Sequence, residues 1–167
     1  STWSQQATLA SSDLQTGDKF GDEVAIAGTD YCLIGAPQED GGSGDPAANA
    51  GAAYVFTRSG TSWSQQAKLV ASDAAASDKF GSSVALSSDA TIAMVGAEGE
   101  DSGKGALYFF ERSGSTWSQV GKVTNTIDSG ANRKIGQHGS SFSPDGSFAA
   151  SLQPYVVEGA GYIWEAG

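Results

Sequence analysis

Residues 78–86 read Asp-Lys-Phe-Gly-Ser-Ser-Val-Ala-Leu, and residues 18–26 read Asp-Lys-Phe-Gly-Asp-Glu-Val-Ala-Ile. A string of that length returning along one chain marks a repeat, and a repeat has to be recognised before any fold is argued. Working outward, Trp3-Ser4-Gln5-Gln6-Ala7-Thr8-Leu9 returns as Trp63-Ser64-Gln65-Gln66-Ala67-Lys68-Leu69 and, shortened, as Trp117-Ser118-Gln119. Gly51-Ala52-Ala53-Tyr54-Val55-Phe56 returns as Gly105-Ala106-Leu107-Tyr108-Phe109-Phe110 and again as Gly159-Ala160-Gly161-Tyr162-Ile163-Trp164. The opening string has a degraded third copy, Arg133-Lys134-Ile135-Gly136. Three repeats fill the chain, with no second domain and no linker.

Each repeat divides into short strands. Val24-Ala25-Ile26 and Val84-Ala85-Leu86 end in polar turns, and continuous apolar runs follow over Tyr31–Ile34 and Thr91–Val95. The Gly-Ala-x-Tyr-x-Phe strand comes third. A Ser-Gly turn (Ser59-Gly60, Ser113-Gly114) leads into the Trp-Ser-Gln strand. Ser143-Pro144-Asp145-Gly146 marks a turn in the third repeat. Helical periodicity is nowhere sustained. Four-stranded antiparallel units repeated in this way predict an all-β chain, a β-propeller with three blades.

The composition narrows the function. The chain has 167 residues, 39% of them hydrophobic, 10% aromatic and 17% charged, enough apolar material for a core. Nine Lys and Arg against nineteen Asp and Glu leave a net charge of −10, which repels phosphate backbones and anionic leaflets. No nucleic-acid partner and no membrane insertion are expected, and no apolar run approaches the roughly 18 residues that span a bilayer. The single histidine, His138, excludes two-histidine metal sites. The single cysteine, Cys32, lies among Tyr31, Leu33 and Ile34 and reads as a buried strand thiol.

The string Asp-x-Phe-Gly-x-x-Val-Ala, followed by Gly-Ala-Pro (Gly35-Ala36-Pro37; Gly96-Ala97-Glu98) and by Gly-Ala-x-Tyr-x-Phe, resembles the FG-GAP repeat. That family builds propellers in integrin α-subunit heads and in many secreted and surface proteins. The resemblance implies an extracellular or surface-exposed, non-catalytic binding module. The third repeat departs from it, with Ile135-Gly136-Gln137-His138 for Phe-Gly-x-x and Ser151-Leu152-Gln153-Pro154 for Gly-Ala-Pro. Integrin-type repeats also carry an Asp-x-Asp-x-Asp-Gly calcium loop in the hairpin after the Val-Ala strand. Here that hairpin holds one carboxylate per repeat, Asp30, Asp89 or Asp145. The chain is therefore similar to the calcium-free variety, and its fold is expected to need no cofactor and no metal.

Within the motif, Phe20, Phe80 and Ile135 are expected to pack between blades, while Gly21, Gly81 and Gly136 allow close backbone approach near the axis. Tyr54, Tyr108, Tyr162, Trp3, Trp63 and Trp117 are expected to fill the wider outer gaps. Two acidic loops are the candidate binding sites, one holding Glu39, Asp40 and Asp45, the other Glu98, Glu100 and Asp101. Carboxylates separated by glycines can wrap a hard cation such as Ca²⁺, and a solvated polar loop has the same composition. His138 and the serines Ser140 and Ser141 form no dyad by adjacency, since neighbours in a strand point to opposite faces.

The leading expectation is a surface binding or assembly module that presents its loops to a protein or glycan. A purely structural repeat that builds an oligomer is the second, and an enzyme with its site at the propeller mouth is the third. The expected division is an orphan fourth strand over residues 1–9, a first blade over about 10–69, a second over about 70–123, and a third over about 124–167 that lacks its fourth strand. Three blades are too few for a ring, since propellers hold about four to eight. Closure by other copies of the chain is therefore expected, a dimer before a trimer, with the Trp3–Leu9 strand exchanged.

Overall fold

The computed structural model describes residues 2–40, 47–124, 134–143, 146–153 and 160–165. The described residues form three antiparallel sheets in chain order. The first runs β1 (Val24–Ala27), β2 (Tyr31–Ala36), β3 (Ala52–Ser59), β4 (Ser62–Leu69). The second repeats it as β5 (Phe80–Leu86), β6 (Ile92–Ala97), β7 (Ala106–Ser113), β8 (Thr116–Thr124), with a short turn, α1 (Glu100–Gly103), between β6 and β7, in which Asp101 and Ser102 take left-handed φ of +48° and +59°. The third has β9 (His138–Phe142), β10 (Phe148–Gln153) and β11 (Ala160–Glu165). These are propeller blades in a ring that the chain does not close.

The local reasons are legible. Gly60 and Gly114, each at φ +63°, turn β3 into β4 and β7 into β8 through two-residue loops. From Cys32 to Ala36 every residue of β2 is buried, and from Ala93 to Ala97 every residue of β6: blades cover both faces of β6, while β2 has the second blade on one face and Leu9 and Phe20 on the other. One core lies between the first two blades, joining Leu33, Val55 and Leu69 to Phe80, Val84 and Tyr108. Another joins Met94 and Leu107 of the second blade to Ile135 and Ala149 of the third. Phe80 meets Tyr108 and Phe110 edge to face at 5.4 and 5.9 Å, and Phe20 meets Tyr54 and Phe56 in the same way at 5.6 and 6.0 Å.

The blades also touch through backbone. Gly81 has φ +96°, and a Cβ there would lie 2.3 Å from the Ala52 carbonyl oxygen. At Gly136 a Cβ would lie 2.6 Å from Gly96 Cα. Parallel bridges, Gly51 to Phe80 and Gly105 to Ile135, stitch each blade to the next. A Cβ at Gly21 would have nothing within 4 Å, because no described blade packs on that side of the first. For the same reason Phe20 and Gly21 stay outside a strand, whereas β5 begins at Phe80.

Two expectations are corrected at this open side. Residues 2–11 carry no strand assignment, since no neighbouring edge offers them a ladder. Trp3, expected in a core, is 98% exposed. Val24 and Ile26 are 56% and 69% exposed, while their repeat equivalents Val84 and Leu86 are 3% and 9% exposed.

Phe80→Ala should lower the unfolding free energy by about 3–5 kcal/mol in urea titration, the usual loss for a buried phenylalanine. Phe20→Ala, at the half-buried equivalent, should lose clearly less. Equal losses would contradict the stacking described.

Candidate functional site

The strongest side-chain constellation recurs in both complete blades. In the first, the Tyr54 hydroxyl donates to Asp13 Oδ1 at 2.9 Å, and Lys68 Nζ donates to Asp13 Oδ2 at 2.7 Å and to Glu39 Oε1. In the second, the Tyr108 hydroxyl donates to Asp73 Oδ1 at 3.0 Å, and Lys122 Nζ donates to Asp73 Oδ2 at 2.7 Å and Glu100 Oε1 at 2.8 Å. Each cluster ties the segment entering a blade, the loop after its second strand, and its third and fourth strands. Burial works against ionising Asp13 and Asp73, but the lysine and tyrosine donors hold both carboxyls below the usual range. Burial and the nearby carboxylates push both phenols up.

These clusters redirect the acidic loops inward. The Glu39 side chain is 4% exposed and that of Glu100 15%, each paired with its lysine. Glu98 accepts from Lys79 at 2.7 Å and from Lys134 at 3.4 Å. Asp40 accepts the Asn49 N–H at 2.9 Å and pins its own loop, and Asp101 pairs with Lys104 at the surface. Asp45 and the Tyr162 side chain lie outside the described residues. Among the described residues no group of three or more His, Cys, Asp or Glu could hold a metal ion. The remaining motif residues stand at the seams: Phe80, Gly81, Ile135 and Gly136 between blades, Phe20 and Gly21 at the open side. Trp63 donates to Gln6 and Trp117 to Gln66, both at 3.0 Å. Cys32 is buried, and burial pushes its thiol up to about 11.

A cavity of about 120 Å³ opens where the Phe-Gly segments of the three blades converge. Lys19 and Lys79 line it from equivalent positions, as do Asp22, Ser82 and Gln137, with Pro37 facing the role of Glu98, and Gln38 and His138 beside them. Pro37 replaces the carboxylate that Lys79 uses, and Lys19 makes no ion pair among the described residues. Gln137 Oε1 is buried without a hydrogen-bond partner. Ser140 Oγ bonds Ser83 Oγ at 2.8 Å. The mouth thus offers donors, acceptors and one imidazole, an arrangement suited to holding a polar ligand.

Sequence reasoning missed the Tyr–Lys–Asp–Glu clusters. The signal was present: Glu39 and Glu100 each stand three residues past the alanine that ends the second strand (Ala36, Ala97), and Asp13 and Asp73 hold the same place in their repeats.

Lys68→Met leaves Glu39 buried without its cation, and should cost about 3–5 kcal/mol of unfolding free energy. The double variant Lys68→Met/Glu39→Gln should recover part of it; full additivity in urea titration would contradict the buried pair. A second expectation concerns Asp78, 6% exposed, whose Oδ2 accepts the Ala75 N–H. Burial, then the Glu100 and Asp73 carboxylates, push it from 3.8 up to about 6. A raised acid favours the folded state below its free value, and that advantage is lost as pH rises through about 6. Asp78→Asn should therefore melt higher than the parent at pH 7.5, with the gap closing below pH 4.

A family model described as "FG-GAP repeat" matches residues 3–56 and 63–110, more than half of the chain. No curated protein sequence matches it significantly. Among solved structures, Sqt1 of Saccharomyces cerevisiae, a β-propeller, aligns with a TM-score of 0.58 at 10% identity, covering 90% of this chain and 33% of Sqt1. The chain thus spans about a third of that protein's length, and the likeness carries the fold alone. With the repeat strings, the stacked four-stranded blades and the family match in agreement, this chain belongs to the FG-GAP repeat family.

Proposed function

We propose that the chain is a non-catalytic binding module of an extracellular or surface-exposed protein, presenting its polar mouth to a protein or glycan partner. The observation that carries this reading is Gln137, which lines a mouth built by three blades and whose Oε1 is a buried acceptor with no hydrogen-bond partner. An unmet buried acceptor costs about 1–3 kcal/mol, which a ligand hydroxyl or amide donor would relieve. The net charge of −10 favours neutral or cationic partners over polyanions. FG-GAP repeats typically occur in extracellular and surface proteins, and propellers of this kind are generally non-catalytic. No helix among the described residues is long and apolar enough to cross a membrane. The exposed Val24 and Ile26 favour a second reading, a structural repeat that builds an oligomer.

Glycan arrays and immobilised extracellular-protein panels test the first reading. A ligand bound by the parent should lose at least tenfold affinity with Gln137→Leu and with Lys19→Met. Binding unaffected by both variants, or no binding to either panel, would leave the structural reading.

A further inference from the structure

Of Asp-Lys-Phe-Gly, the third copy of the motif keeps only its lysine and its glycine, as Lys134 and Gly136. The glycine is needed for the close seam. The lysine is not, and its backbone is strained in every copy. Lys19, Lys79 and Lys134 take left-handed φ of +55°, +56° and +39°, where a glycine would fit at less cost. For two of the three, the side chain has a visible task. Lys79 donates to Glu98 Oε1 at 2.7 Å and Lys134 to Glu98 Oε2 at 3.4 Å. One carboxylate is thus shared by the lysines of two successive blades. The first seam has the same pair of lysines without the carboxylate. Lys19 and Lys79 come from successive blades and both line the cavity of about 120 Å³, but Pro37 holds the place of Glu98 and carries no charge. Among the described residues the Lys19 ammonium has no partner. Lys79 has three ammonium N–H groups, so its bond to Glu98 leaves donors for a second acceptor.

We infer that this cavity binds the carboxylate of an acidic sugar, held by Lys19 and Lys79 as the Glu98 carboxylate is held by Lys79 and Lys134. This assignment rests on the mouth being a binding site, as proposed above, and names its ligand class. A carboxylate accepts charge-assisted hydrogen bonds from both ammonium groups, which a neutral ligand cannot do as strongly. The rest of the wall decides between sources of the carboxylate. Asp22, Ser82 and Gln137 line it, and Pro37 is its one apolar residue among those described. A hexuronate suits such a wall, because it carries hydroxyl groups on the ring carbons beside its carboxylate. The acidic side chain of a protein arrives on methylene groups, which would find little apolar cover here. The net charge of −10 opposes polyanions, so the fitting ligand is a single uronate in an otherwise neutral glycan. Asp22 is exposed beside the lysines and weakens the attraction.

Ligand-observed NMR titration with glucuronate, glucose and a blocked glutamate (acetylated and amidated) tests the assignment. Glucuronate should bind the parent, with glucose and blocked glutamate about tenfold weaker or silent. Lys19→Met should lose about tenfold in glucuronate affinity, and Asp22→Asn should bind it more tightly. Pro37→Glu supplies the carboxylate from within and should block glucuronate while circular dichroism keeps the parent's β signal. Should that variant not fold, the exposed Lys19 still carries the test. No glucuronate binding, glucose bound as tightly as glucuronate, or Lys19→Met indistinguishable from the parent would overturn the assignment. Blocked glutamate bound more tightly than glucuronate would overturn the sugar and point to a protein side chain. A neutral glycan bound through Gln137 and indifferent to Lys19→Met would overturn the carboxylate yet leave the mouth a binding site. A parent that binds nothing, here or on the arrays, would remove both.

Discussion

A Cβ placed on Gly35 would lie 2.1 Å from the Gly81 carbonyl oxygen, and one placed on Gly96 would lie 2.1 Å from that of Gly136. Backbone therefore rests on backbone along the inner edge of each seam, and this closeness sets the rest of the stack. A sheet pinned that tightly at one edge must open like a wedge toward the other. Small residues follow near the pinned edge, with Ala36, Ala52, Ala97 and Ala106 all buried there. Tyr, Phe and Trp fill the widening gap, and the edge-to-face contacts of Phe80 take up the space where it begins to grow.

At the outer edge the blades are joined by polar ties instead of close packing. Each entering segment is fixed to its blade by the Tyr–Lys–Asp–Glu cluster and by a glutamine from the fourth strand. Contact thus runs from each blade to its immediate neighbour, as in other linear repeat proteins, whose stability is close to a sum of unit and interface contributions. A blade without a neighbour keeps its sheet but loses half its cover, which is the condition of the first blade at Val24 and Ile26.

The repeat strings made the fold readable because Phe-Gly, Gly-Ala-x-Tyr-x-Phe and Trp-Ser-Gln each answer a fixed place in the wedge. Strand order followed from their sequence order. The site was less readable. Glu39, Glu98 and Glu100 sit in glycine-containing acidic stretches whose composition matches that of a solvated loop, and their lysine partners lie far along the chain: Lys68 and Lys122 on fourth strands, Lys79 just before β5, and Lys134 in the third repeat. Composition reports what a segment carries, and only the strand register reports what faces it. Trp3 failed as a core residue for a related reason: a side chain can be buried only by something present, and no described strand lies against it.

The two loops that follow the second strands close with one hydrogen-bond pattern. Gly51 N–H donates to the Glu39 carbonyl at 2.7 Å, and Gly105 N–H donates to the Glu100 carbonyl at 2.9 Å. Between these closures the first loop runs over residues 40–50 and the second over 101–104. Both ends are clamped, by the glutamate–lysine pair and by this bond, so the intervening length is nearly free. Lengthening from the shorter loop to the longer costs about 1 kcal/mol of closure entropy. The blade scaffold can therefore accept foreign segments at this point without renegotiating its seams. That makes the site an insertion port, where new recognition surfaces can arise by descent or be grafted by hand.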